Sequence, residues 1–131
     1  MDVASRGVTS ARIAFVLMWL TVWLGTVVTG SGPHAGDENA RRTGWDPSTV
    51  VHAHTLAVYA TVAVTVACAV LVRTRAGYAL LALEMAQGAI GFLQYFTGLP
   101  VWLVALHLLG AALAIALATN LVLSVRPRRA A

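Results

Sequence analysis

The sequence predicts an all-α integral membrane protein, a four-helix bundle running up-down-up-down. Three observations predict it. Hydrophobic residues make up 59% of the 131 and charged residues only 11%, against about a quarter charged in a soluble domain. The mean hydropathy is +0.78, more apolar surface than a single domain of this length can hide in its own core. The apolar residues also fall into four runs, each long enough or nearly so to cross a bilayer, which takes about 17–25 residues. In hydrocarbon every backbone polar group must be satisfied within its own segment, so these runs are helices.

The first helix is expected over residues 13–29. It follows Arg6 and Arg12 and ends in Thr29-Gly30-Ser31-Gly32-Pro33, a run of helix breakers. Its length and the residues after it do not make a cleavable leader. The second, over 50–72, has a clear start: Asp46 can cap, Pro47 suits the first helical position, and Ser48 and Thr49 follow. The third spans 78–97 and ends in Thr97-Gly98-Leu99-Pro100, a faint echo of the first exit. The fourth spans 100–124, with Pro100 opening it as Pro47 opens the second. The whole chain is one transmembrane domain.

All nine basic residues are arginines, and they flank the apolar runs. That pattern describes membrane orientation, not a nucleic-acid surface. Arg6, Arg12, Arg73, Arg75, Arg126, Arg128 and Arg129 fall on one side. By the positive-inside rule that side is cytoplasmic, with both termini on it, in a multi-pass protein of the plasma membrane. Arg41 and Arg42 lie on the other side, balanced by Asp37, Glu38 and Asp46. Trp45, Trp102, Tyr95 and Phe96 fall near the outer boundary and Tyr78 near the inner one, as interfacial aromatics do. Cys68 is alone within an apolar run, where it reads as a small packed hydrophobe.

Polar groups inside a span are costly and need partners. His52 lies five residues past Pro47 and His107 seven past Pro100, depths of roughly 8 and 10 Å from the same side at 1.5 Å per residue. Two histidines at matched depth on helices 2 and 4 suit the two axial positions of one haem iron; a histidine bonded to a neighbouring carbonyl is the plain alternative for each. His107 shares a stripe with Gly110, Ala111, Ala114 and Ala118, and His52 with Thr55, Leu56, Tyr59 and Ala63. His54, about 200° around the helix from His52, is expected at the interface and not on the same iron. His34, in the outer loop, is either a contact to a ligand's edge or an ordinary solvated residue. Glu84, Gln87, Gly88, Gly91 and Gln94 share one face of helix 3, which must point into the bundle. Glu84 reads as a protonated hydrogen-bonding partner, with a proton relay as the other possibility. No zinc pattern, nucleophile triad or phosphate loop is present, and the sequence names no catalytic residue.

GTVVTGSGPHAGD, then a histidine near the start of the next helix, then LEMAQGAIGFLQYFTGLP and ALHLLGAA, together resemble the C-terminal half of a bacterial haem A synthase, in its actinobacterial form. The resemblance covers almost the whole chain. It implies two similar four-helix halves in the complete enzyme, which oxidises the methyl group of haem O to the formyl group of haem A for terminal oxidases. It implies a b-type haem held in this half by His52 and His107, with the glycine-rich exit loop over its outer edge. In many members the other half carries a loop cysteine pair and a glutamate just before its histidine. Here Cys68 is in a helix and Val51 precedes His52, so the half linked to oxidation is missing. Activity, if any, then calls for a partner half or a homo-oligomer, with haem O as possible substrate and haem O synthase or oxidase assembly factors as possible partners. The alternative is a non-catalytic membrane subunit that assists oxidase assembly.

Overall fold

The computed structural model describes residues 3–33 and 39–126. Four helices account for nearly all of them: α1 (Val3–Ser31), α2 (Pro47–Val72), α3 (Arg75–Phe96) and α4 (Val101–Ser124). Each is long and apolar enough to cross a membrane, and the chain is a multi-pass membrane protein whose surroundings are lipid. His34, Asp37, Glu38, Arg128 and Arg129 lie outside the described residues.

The helix starts follow from local chemistry. Asp46 caps α2: its Oδ2 accepts from the Thr49 amide and from the Thr49 hydroxyl, both at 2.7 Å, and Pro47 opens the helix. Thr74 caps α3 by accepting from the Gly77 amide. Arg73 turns between α2 and α3 in the left-handed region, at φ 47°. Two expectations needed adjustment. Pro100 is the cap position of α4 and not its first residue, and it supplies no side-chain hydrogen bond. Helix α1 begins ten residues before the apolar run, because Thr9 and Ser10 turn their hydroxyls onto the carbonyls of Ser5 and Gly7 and Ala11 packs inward.

In the bundle α1 packs on α2 and α4, and α3 on α2 and α4, so α2 and α4 lie on a diagonal, as do α1 and α3. A tight apolar layer closes the end that carries the termini: Ala11, Cys68, Leu80, Ala118 and Leu121, all at most 1% exposed. Large apolar side chains elsewhere point outward, among them Trp19, Trp23, Phe92, Leu109 and Leu113, as suits helices solvated by acyl chains. The inward faces are small and polar instead. At the opposite end the chain after α1 folds back on itself. The Thr43 amide donates to the Gly30 carbonyl at 2.9 Å, and the Ser31 and Thr43 hydroxyls are bonded.

The hydrogen bonds from Thr49 hold the Asp46 carboxyl below its ordinary value. The sign follows by linkage: a lowered folded-state pKa gives a contribution present above the unfolded value and lost as pH falls through the folded one. The protection factor of the Thr49 amide, its exchange rate relative to the unfolded chain at the same pH, should therefore fall on acidification through the carboxylate range. Asp46→Asn keeps the cap oxygen and should abolish that acid dependence; an unchanged pH profile in the variant would remove Asp46 from this role.

Candidate functional site: a polar seam inside the bundle

The inward face of α2 runs Val50, His54, Ala57, Thr61, Thr65, Cys68. All but His54 are buried, and His54 is half-buried. The facing stripe of α4 runs Leu103, His107, Gly110, Ala114, Ala118. His54 and His107 thus both turn toward the bundle interior, on diagonal helices.

Each ring has a glycine beside it. A Cβ on Gly25 of α1 would sit 3.2 Å from His54 Cε1, and one on Gly91 of α3 would sit 3.4 Å from His107 Cε1. His54 Nδ1 lies 3.0 Å from the Thr21 carbonyl oxygen. A carbonyl only accepts, so Nδ1 carries the proton and Nε2 keeps its lone pair, the state in which imidazole binds a metal. His107 Nδ1 is buried with no hydrogen-bond partner.

His52 is placed differently from the expectation. It is exposed on the outside of α2, and its Nδ1 donates to the Ser48 carbonyl of its own helix at 2.7 Å. Its stripe-mates Leu56 and Tyr59 are exposed too. The physical reason is the 200° step between the two histidines: only one can share the face of Ala57, Thr61 and Thr65, and that one is His54. The structure therefore turns His107 and His54 inward and leaves His52 outside. The signal was present in the sequence, since Thr61, Thr65 and Cys68 repeat at helical spacing from His54.

Polar groups continue along the seam below the histidines. The Thr21 and Thr61 hydroxyls are bonded at 2.8 Å. Thr65 donates to Glu84 Oε1, also at 2.8 Å. Glu84 Oε2, Gln87 Oε1 and Gln94 Oε1 are buried without partners. No group of three or more His, Cys, Asp or Glu side chains gathers as a metal cluster among the described residues. Two inward imidazoles, one with its tautomer fixed and one with an orphaned nitrogen, thus stand at the polar end of the seam.

The fold and this site define the class: a four-helix multi-pass membrane protein with a polar, histidine-bearing interior. No family model, curated protein or solved structure matches the chain.

Gly110 matters for the same interior. A Cβ there would run into the Gln87 side chain. Gly110→Ala should cost up to about 1 kcal/mol in an unfolding titration, because the clash is with the flexible end of Gln87 and alanine favours the helix. Adding Gln87→Ala should recover most of that loss, because the coupling is between direct neighbours. Strictly additive effects in the double variant would show that the two residues do not meet.

Proposed function

We propose that this chain is a haem-binding membrane protein of the haem A synthase type, acting as a b-haem half that needs a partner half or further copies of itself. The observation that carries the reading is that His54 of α2 and His107 of α4 are both turned inward, His54 bonded to the Thr21 carbonyl and His107 with an orphaned ring nitrogen. The motif resemblance adds the family and, with it, oxidation of haem O to haem A for terminal oxidases.

Bound haem supplies a one-electron redox centre. The chain's own residues would do the rest. His54 Nε2 and His107 offer lone pairs from two helices. The Thr21 carbonyl fixes the His54 tautomer and ring orientation. Gly25 and Gly91 let the two rings lie close against α1 and α3. His52 is the ligand that the resemblance implies, but its exposed position points to lipid or to a neighbouring subunit.

Reduced-minus-oxidised spectra of the purified, haem-reconstituted protein separate these roles. Wild type should show a low-spin b-type spectrum. His54→Ala and His107→Ala should each open one axial position, giving a high-spin shift or haem loss, and His52→Ala should keep the wild-type spectrum. Loss of the low-spin form in His52→Ala alone would return the axial role to His52. No bound haem in wild type would favour the non-catalytic assembly subunit.

The arginine distribution supports a plasma-membrane protein with both termini in the cytoplasm. With Cys68 replaced by Ala, a cysteine at Asn39 should react with an impermeant thiol reagent added to intact cells, and one at Ala130 only after lysis. The opposite pattern would invert the topology.

A further inference from the structure

Glu84 is the one acidic residue within the described spans. It is 7% exposed. Thr65 satisfies Oε1, and Oε2 is buried with no partner. Among the described residues no cation answers it: Arg6, Arg12, Arg73, Arg75 and Arg126 are all exposed. The titratable groups on faces turned toward it are His54 and Cys68 from α2 and His107 from α4, while the inward face of α1 brings none. An ionised carboxylate buried without a cation is strongly disfavoured. Even as a neutral acid, its free oxygen still asks for a partner.

The surroundings differ on the two sides of this residue. Toward the termini lies the apolar layer of Cys68, Leu80, Ala11, Ala118 and Leu121. Toward the 32–46 loop the seam stays polar. Thr65 is followed one turn on by Thr61, whose hydroxyl donates to the Ala57 carbonyl and accepts from Thr21, and Gln87 offers an unpartnered oxygen one turn from Glu84. Above them stand His54, His107 and Gln94.

We propose that Glu84 is a proton-binding site that exchanges with water at the loop end of the bundle through the Thr61–Thr21 hydroxyl pair, and is sealed from the end that carries the termini. In the exchange Oε2 takes a proton from hydronium to give the neutral acid and releases water, and the reverse step returns it. No redox partner is involved, and the proposal does not depend on haem.

Infrared spectroscopy of the full chain in lipid bilayers, with D2O as the probe, tests it. At neutral pH wild type should show a protonated-carboxyl C=O band that Glu84→Gln lacks, and that band should shift when the buffer is changed to D2O. Thr61→Val keeps the side-chain shape and removes the hydroxyl. It should slow the shift by about tenfold, the rate equivalent of one relay hydrogen bond. Leu121→Val, in the apolar layer, should leave the rate unchanged. A carboxyl band that never shifts would make Glu84 a closed structural partner and overturn the proposal. So would the absence of any protonated-carboxyl band, or a Thr61→Val rate equal to wild type. If Glu84→Gln fails to insert, the wild-type shift and the Thr61→Val comparison still decide.

Discussion

Lipid offers no hydrogen bonds, and that constraint orders the whole molecule. Every polar side chain within a span must bond to its own helix or turn toward another. Thr55, Thr97 and Thr119 take the first course, each donating to the carbonyl four residues back. Thr21, Thr65 and Glu84 take the second, and their contacts stitch α1 to α2 and α2 to α3. The inward faces are therefore defined by polarity and small size, with the large apolar side chains turned out to the acyl chains.

The same rule explains why the two histidines of α2 part company. His52 sits near the helix start and bonds back to Ser48, so it tolerates the outer surface. His54 shares the face of the buried threonines and reaches the Thr21 carbonyl across the α1–α2 contact. Gly25 of α1 lets the ring approach closely there. A polar interior is then available for chemistry at one end, while the apolar layer around Leu80 and Leu121 closes the other.

Much of this was legible in the sequence. Four apolar runs gave four spanning helices, and Asp46-Pro47 gave the start of α2, because length and capping are local properties. The inward face of α3 was also legible, since Glu84 and Gln87 cannot face lipid. Which histidine of α2 turns inward was harder to read, and only the repeat of Thr61, Thr65 and Cys68 from His54 signals it. Depth along the axis places His52 and His54 almost equally well, and only rotation about the axis separates them. Rotation depends on which neighbours α2 meets, and above all on Thr21 and Thr61, which lie forty residues apart. The start of α1 was missed for another reason: residues 3–12 are polar enough to end an apolar run but still able to continue a helix.

The central claim is that α2 turns His54, and not His52, into the bundle. Solid-state NMR of isotope-labelled protein in bilayers reads this directly, through transfer from His54 Nδ1 to the Thr21 carbonyl carbon. The account predicts that cross-peak, with Nδ1 protonated. Its absence, together with a contact from the His52 ring to a residue of another helix, would mean that α2 is rotated and that the polar seam described above is not the interior of this protein.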